Sequence, residues 1–325
     1  MLSPPAQAVA VLSILLAACN LPAAEPLWLS DTAPHSRGHG SQGHGGPVEV
    51  RKGVYYKRLW LRQGQAADNS DYVSRVDETP KLVLIDTDGK VVEKLLKKDD
   101  KTDALNVAFA MPNEGFYNAY LKRQHVEGDR LEVQIAKAEV LKHSCREGHD
   151  HVQEKMPPHH NAGMPLEIVR NRQPKENFHS RLGHGDEVSF TVLRNGNPLP
   201  GARVTLTSGQ GWSKSLLSDE QGRVSYTMIR DYYPSWEAFE KRHAQPYLVN
   251  ALYTLPQAGE LDGQAYRETR YLASYAGKYY PSPDDYESYA YGLSFGLFAL
   301  LSTGGGIYLF RRRRKRPYQE VSFND

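Results

Sequence analysis

Histidines are concentrated in one stretch of the chain. Residues 143–184 hold seven of the 12 histidines in this 325-residue sequence, and Cys145, Asp150, Met156 and Met164 lie among them. Neutral imidazole is a good ligand for nickel, copper, zinc and cobalt, and a nearby thiolate or carboxylate completes a borderline-soft site. The stretch therefore predicts a site for a divalent transition metal, without selecting one of these metals.

Six side chains of this stretch are candidate ligands. His149 and His151 fall on the same side of an extended segment, because side chains alternate there with a period of two. Cys145 is either a ligand or an ordinary half-buried cysteine. The predicted metal ligands are His143, Cys145, His149, His151, His159 and His160. The alternative is a solvated loop that is histidine-rich without binding a metal.

Other chemistry is poorly represented. The sequence has no zinc-protease His-Glu-x-x-His motif, no phosphate-binding loop and no dinucleotide fingerprint, so we expect no enzyme. Two cysteines exclude a disulfide-stapled scaffold and an iron–sulfur protein. The formal net charge is +2, but the 15 residues after position 310 carry six basic and two acidic side chains. Because the positive charge is confined to this block, a nucleic-acid binder is excluded.

Two apolar segments predict an exported, membrane-anchored protein. Residues 1–24 resemble a signal peptide cleaved after Ala24, although the segment ending in Cys19 also resembles a lipoprotein signal. Residues 289–310 hold no charge and are long enough to cross a bilayer. The basic run that follows at residue 311 predicts a cytoplasmic C-terminus, by the positive-inside rule. We therefore expect a single-pass protein of the bacterial inner membrane, with its ectodomain in the periplasm.

Between these segments the sequence alternates like β-strands. Residues 81–85 and 91–95 flank the turn signal Asp86-Thr-Asp-Gly89 and predict a hairpin. The fold class predicted is all-β, with two immunoglobulin-like β-sandwich domains plus one C-terminal transmembrane α-helix. The predicted order is a signal peptide (1–24), a His/Gly-rich linker (25–47), a first β-sandwich (48–142), a His-rich inter-domain segment (143–185), a second β-sandwich (186–276), a Tyr/Pro stem (277–288), the membrane helix (289–310) and a basic tail (311–325).

Motifs of the second β region resemble a known family. Residues 164–169, 182–193, 195–204 and 218–224 follow one another in the order typical of the bacterial exported family known as nickel-uptake substrate-specific transmembrane region. The resemblance implies a periplasmic component associated with cobalt or nickel transport, and hence nickel or cobalt as the expected metal cofactor. Similar phrases occur in immunoglobulin-like carboxypeptidase-regulatory and starch-binding-like sandwiches, so they specify fold better than function.

Two functions follow from these patterns. The first is a membrane-anchored periplasmic metal-binding accessory that assists nickel or cobalt uptake, with an inner-membrane metal permease or another envelope protein as its partner. The alternative is a non-catalytic adhesion or scaffold module that binds protein or glycan in the cell envelope. The alternative predicts an exposed aromatic patch that includes Trp212, Tyr232, Tyr233 and Trp236.

Overall fold

The computed structural model describes most of the region between the two apolar segments, together with the C-terminal helix. The described residues are 25–34, 48–76, 81–143, 159–231, 244–315 and 321–323. The predicted signal peptide and the predicted ligands Cys145, His149 and His151 lie outside them, as do Tyr232, Tyr233 and Trp236.

The first half of the described chain consists of strands joined by short turns. These strands are β1 (Leu27–Ser30), β2 (Val48–Arg51), β3 (Val54–Gln63), β4 (Asp71–Tyr72), β5 (Lys81–Ile85), β6 (Val91–Leu95), β7 (Lys97–Lys98), β8 (Leu105–Met111), β9 (Gly115–Glu127) and β10 (Arg130–Lys142). The predicted hairpin is confirmed by β5 and β6. Its turn forms because the Asp86 carboxylate accepts hydrogen bonds from the backbone N–H groups of Asp88 and Lys90, at 3.0 and 2.9 Å.

The second half continues in the same way and ends in a helix. Its elements are β11 (Glu167–Asn171), β12 (Glu187–Arg194), β13 (Asn197–Pro198), β14 (Arg203–Ser208), β15 (Ser213–Leu217), β16 (Arg223–Thr227), β17 (Gln245–Leu255), β18 (Gly259–Leu261), β19 (Gln264–Tyr266), β20 (Glu268–Tyr279) and α1 (Pro283–Arg314). The strand-rich composition confirms the all-β prediction for the described ectodomain.

Three sheets carry the architecture. Strands β1, β2, β3, β4, β7 and β8 form outer sheet 1, and strands β11, β12, β13 and β16 form outer sheet 2. Between them lies an eight-stranded shared sheet in the order β15-β14-β17-β20-β10-β9-β5-β6. Outer sheet 1 covers one face of the shared sheet and outer sheet 2 covers the other, so the two predicted immunoglobulin-like sandwiches are present.

Strict alternation along the strands builds the two cores. On β9 the side chains of Tyr117, Ala119 and Leu121 belong to the core beneath outer sheet 1, whereas Tyr120 belongs to the core beneath outer sheet 2. Successive side chains of a strand point to opposite faces, so a strand covered on both sides is apolar at nearly every position. The sandwiches are therefore staggered on opposite faces of one sheet.

The shared sheet exists because β10 pairs with β20 in parallel. The register runs from Arg130 opposite Glu268 to Ala138 opposite Ala276. This pairing joins the last strand of the first sandwich to the last strand of the second. The sequence predicts two sandwiches joined by a connecting segment, and the shared sheet is an additional feature that its local pattern does not contain.

Three predicted connecting segments contain regular structure. The linker predicted at 25–47 begins with strand β1, which forms because its apolar side chains are buried between β3 and the shared sheet. The inter-domain segment predicted at 143–185 contains β11, which pairs with β12. The stem predicted at 277–288 is reduced to three residues between β20 and α1, because β20 extends to Tyr279 and Pro283 suits the first turn of a helix.

The C-terminal helix is the membrane candidate. Residues Tyr289–Arg314 of α1 have a mean hydropathy of 1.6 over the apolar window, and none of that window is buried against the rest of the described protein. A helix of this length and composition can cross a bilayer. Four arginines, residues 311–314, form its last turn, where positive charge complements the helix dipole.

Candidate metal site

The structure describes three of the six predicted ligands, and His143 is the most confined of them. It directly follows β10, so the β9–β10 ladder brings it beside Glu114. Its Nδ1 atom lies 3.7 Å from Glu114 Oε2, and 9% of its side chain is exposed. The ring also packs against Phe178, with centroids 5.2 Å apart. His143 is thus held in a fixed orientation at the edge of the first sandwich.

A histidine outside the predicted set completes a pair with it. His179 Nε2 lies 3.2 Å from His143 Nε2, and the two rings are nearly perpendicular, with an interplanar angle of 83°. The ring centroids are 4.6 Å apart. Because the nitrogens are closer together than the centroids, the rings direct their Nε2 atoms toward each other. His143 and His179 are called the histidine pair below.

A tight turn positions His179. The His179 backbone N–H donates to Asn177 Oδ1 at 2.8 Å, and the Ser180 backbone N–H donates to the Asn177 carbonyl at 3.0 Å. Phe178, between them, packs on Phe116 of β9 with centroids 6.1 Å apart. The turn is therefore anchored to the first sandwich although the segment leads into the second. The His179 side chain itself is exposed.

The other two described ligands do not join this pair. His159 Nε2 lies 3.1 Å from the Thr87 carbonyl in the β5–β6 turn, and the His159 carbonyl accepts a hydrogen bond from Tyr120. His160 is exposed. Within the residues that the structure describes, no group of three or more His, Cys, Asp or Glu side chains converges on a point. The prediction for Cys145, His149 and His151 lies outside these residues and stays a prediction.

The histidine pair lies at the end of the shared sheet that leads into α1, which we call the helix-bearing end. His143 follows the last residue of β10, and β10 runs parallel to β20, whose own last residue precedes α1 by four positions. The segment after His179 contacts the same end. The Leu182 carbonyl accepts a hydrogen bond from the Tyr280 backbone N–H at 2.8 Å, and the His184 backbone N–H donates to the Tyr280 carbonyl at 3.1 Å. Leu182 follows His179 by only three positions, so about 10 Å of chain connects the pair to this contact.

A buried network of charges lies behind the pair, between β10 and β11. Lys137 Nζ lies 2.8 Å from Glu167 Oε1, and these two side chains are 2% and 1% exposed. Arg172 Nη2 lies 2.6 Å from Glu139 Oε2, and Tyr275 donates to the same oxygen at 3.2 Å. Each buried charge therefore has a partner of opposite sign, as its burial requires. The network comprises Lys137, Glu139, Glu167, Arg170, Arg172 and Glu176.

The electrostatics of this network favour a structural role. Burial and the neighbouring Glu167 carboxylate raise the pKa of Tyr120 far above its usual value, so Tyr120 remains a neutral donor to Glu167 at 2.8 Å. Burial acts to raise the pKa of Glu176, but Arg170 and Arg172 hold it below its usual value. These groups keep one charge state across the physiological pH range, whereas a general acid or base must change its own.

A local pattern in the sequence of β10 could have predicted this network. Lys137 and Glu139 stand two residues apart within the otherwise apolar run 135–141, so they share a face. Charges on a strand that is buried on both faces must meet opposite charges. His179 had a weaker signal, because it is one of the seven histidines but lies 36 residues from His143.

Two further features offer no reaction chemistry. A groove of about 560 Å³ on outer sheet 2 is lined by Arg170 and Arg172, but Glu176 and Glu139 already pair with these guanidinium groups. A Gly-x-Ser-x-Gly run at residues 292–296 lies inside α1. The hydrolase motif of that pattern needs a strand–turn–helix context, which this run does not have.

Comparison with known proteins gives little beyond the architecture itself. No family model and no curated protein matches the chain. A 1.5-MDa bacterial ice-binding adhesin is 9% identical, with a TM-score of 0.21, over 70% of this chain and 58% of that one. A tandem repeat of a large adhesion protein is 11% identical with a TM-score of 0.20, over 79% and 49% of the two chains. A two-domain fibronectin type III segment of chicken tenascin is 11% identical with a TM-score of 0.18, over 72% and 97%.

The chain thus spans little more than half the length of the ice-binding adhesin chain that it matches. At these identities and TM-scores we assign no family and no activity from the similarity. The fold and the histidine pair rest on the chain's own residues: two sandwiches on one shared sheet, followed by a helix long and apolar enough to cross a membrane.

Proposed function

We propose that this protein is a membrane-anchored, non-catalytic scaffold module that displays a binding surface for protein or glycan in the bacterial cell envelope. The observation that carries the proposal is the shared sheet, which makes one body of the two sandwiches through the β10–β20 pairing. The 13 residues of β10 span about 40 Å at the rise of an extended strand. The body therefore holds its far end well away from the start of α1.

The far end carries two exposed connections. One is the tight turn between β9 and β10, and the other is the β18–β19 hairpin between β17 and β20. Glu127 in the first connection and Glu260 in the second are both exposed. Loops at the end of a β-sandwich are free to vary without disturbing the core, which suits them to recognition. The basic run that begins in the last turn of α1 supports a cytoplasmic C-terminus and hence a periplasmic body.

The test uses the whole chain in lipid nanodiscs and isolated peptidoglycan sacculi as the probe. We expect saturable co-sedimentation, and we expect Glu127→Lys combined with Glu260→Lys to weaken it at least about tenfold, a change of 1.4 kcal/mol. The matched control is Glu187→Lys combined with Glu220→Lys, which makes the same charge change at exposed positions elsewhere in the second sandwich. Retention that does not saturate, or that both variants weaken equally, would contradict display at the far end.

The second candidate is a metal-binding accessory for nickel or cobalt uptake through an inner-membrane permease. What supports it is the position of His143 at the helix-bearing end, since a metal bound there is close to the bilayer. Its test is the uptake of radiolabelled nickel by cells that lack the protein. Uptake restored by the natural chain and not by a His143→Ala chain is the expected result, and equal uptake in both strains would contradict this candidate.

A further inference from the structure

The separation of the two imidazole nitrogens in the histidine pair matches that of two ligands of one metal ion. Transition metals bind imidazole nitrogen at about 2.0–2.1 Å, and two such bonds at a tetrahedral angle place the nitrogens about 3.3 Å apart. The observed Nε2–Nε2 separation is 3.2 Å. An ion that binds both nitrogens takes the place of the ring proton that one of them otherwise donates to the other.

We propose that His143 and His179 form a site for a divalent transition-metal ion that ties the two sandwiches together at the base of the membrane helix. His143 belongs to the end of β10, and His179 belongs to the connection between β11 and β12. His179 is exposed, so water or a further ligand can reach the remaining coordination positions. Imidazole ligands suit nickel, cobalt, copper and zinc alike, so the site is defined by this class of ion.

The surroundings of His143 match those of a metal ligand. A metal-bound histidine usually directs its other ring nitrogen toward a carboxylate, which orients the ring and makes the ligand nitrogen more basic. Glu114 Oε2 lies 3.7 Å from His143 Nδ1, which is ion-pair and not hydrogen-bond distance, so a small approach of the carboxylate completes this arrangement when the ion binds. Glu114 is thus a positioning residue in this site, and its role is to orient His143.

The pair is also preorganised for binding. Phe178 packs on the His143 ring, and the turn that begins at Asn177 fixes the backbone of His179. A ligand that is already ordered loses little conformational entropy when the ion binds, so its affinity is higher than that of a histidine in a flexible loop. Binding between two segments that separate on unfolding also stabilises the folded state.

The experiment is a calorimetric titration of the tag-free full chain in detergent micelles with Ni²⁺, Co²⁺ and Zn²⁺. We expect one ion per chain with a dissociation constant below about 1 mM. His179→Ala is the principal variant, because this side chain is exposed and its removal leaves the cores intact. We expect it to abolish the binding and to abolish the metal-induced rise in unfolding temperature. Bound Co²⁺ should lose its visible absorption band in the same variant.

Two further variants separate coordination from simple packing. Glu114→Gln should weaken binding about tenfold and leave the stoichiometry at one, as expected for a residue that orients a ligand. His160→Ala is the matched control, because His160 is an exposed histidine outside the pair, and we expect it to bind like the natural chain. The same titration of a His149→Ala/His151→Ala chain should still show one ion.

Two results would overturn the site. One is binding that survives in His179→Ala and disappears in His149→Ala/His151→Ala, which would assign the metal to the other predicted ligands. The other is binding no tighter than about 1 mM in the natural chain. The site rests on neither proposed function, so its outcome is separate from theirs. Metal binding with unchanged nickel uptake would support the site and contradict the accessory candidate.

Discussion

The two faces of β10 are buried by different chemistry. Toward outer sheet 1 the strand presents Ala136, Ala138 and Val140, which belong to an apolar core. Toward outer sheet 2 it presents Lys137 and Glu139, each with 2% of its side chain exposed, within the network of ion pairs. The second half of the strand therefore joins its own sandwich through the hydrophobic effect and contacts β11 through paired charges, whereas Leu131, Val133 and Ile135 of the first half belong to the apolar core beneath outer sheet 2.

The apolar and the ionic contacts of β10 differ in how precisely they position the neighbouring sheet. Apolar burial is non-directional and scales with area, so the contact with outer sheet 1 supplies stability without choosing a unique partner. A buried charge gains little net energy from its partner, because desolvation offsets the attraction, but its loss leaves the partner uncompensated. We infer that the ionic face fixes the position of β11 and of the segment after it, including the turn that carries His179.

The largest expected effect tests the ionic face. Glu167→Gln removes one charge of the Lys137 pair while keeping nearly the same volume, and we expect a loss of about 4 kcal/mol in the free energy of unfolding. Urea unfolding of the full chain in micelles measures it, with the exposed Glu187→Gln as control. Hydrogen exchange should also accelerate in β11 before it does in β3. A loss below about 1 kcal/mol, typical of an exposed pair, would remove the distinction between the two faces.

The apolar face is expected to respond slightly less. Leu121→Ala deletes a fully buried side chain opposite Ala136, and we expect a loss of about 3 kcal/mol from the lost transfer energy and the cavity left behind. The exposed Leu217→Ala is the control. Exchange should accelerate throughout the first sandwich and not selectively in β11. Selective opening of β11 in this variant would show that both faces position the same segment.

A double substitution sharpens the comparison. Lys137→Met added to Glu167→Gln removes the orphaned ammonium group, so we expect it to regain about 2 kcal/mol of the free energy lost in Glu167→Gln alone. The same urea titration measures the recovery. A double variant less stable than Glu167→Gln would mean that Lys137 contributes through Glu139 and the Ile168 carbonyl, which its Nζ atom also approaches at 3.6 and 3.1 Å.

The smallest expected effect concerns pH at the contact between Leu182–His184 and Tyr280. Burial lowers the pKa of His184 below its usual value of 6.5. The nearby Asp231 carboxylate opposes this shift, and the Arg230 guanidinium adds to it. Between the pKa of His184 in the folded state and 6.5, the unfolded chain binds more protons than the folded one. The free energy of unfolding therefore falls as the pH drops below 6.5, and His184 does not affect it at higher pH. The measurement is the unfolding temperature at several pH values. We expect the unfolding temperature of His184→Gln to fall less at acid pH than that of the natural chain. Equal losses would exclude His184 as the titrating group.

Particular elements show how far the sequence reached. The β5–β6 hairpin was predictable because its alternation and its Asp-Gly turn are local, and the membrane helix because a long uncharged run has few alternatives. The prediction of a linker over β1 is wrong because three apolar residues followed by a serine are too short a segment to give a periodic signal. The cluster of histidines predicted His143 as a ligand, but not His179 as the partner that it meets.

The sequence by itself determined the strands, the alternation of their faces and the apolar helix, because each depends on residues within a few positions of one another. Only the tertiary structure decided that β10 lies beside β20, which joins Arg130 to Glu268 across 138 positions. It also decided that His179 faces His143. Contacts of this kind depend on how whole sheets pack and on which buried charges find opposite partners, and these are properties of the assembled core that no local pattern encodes.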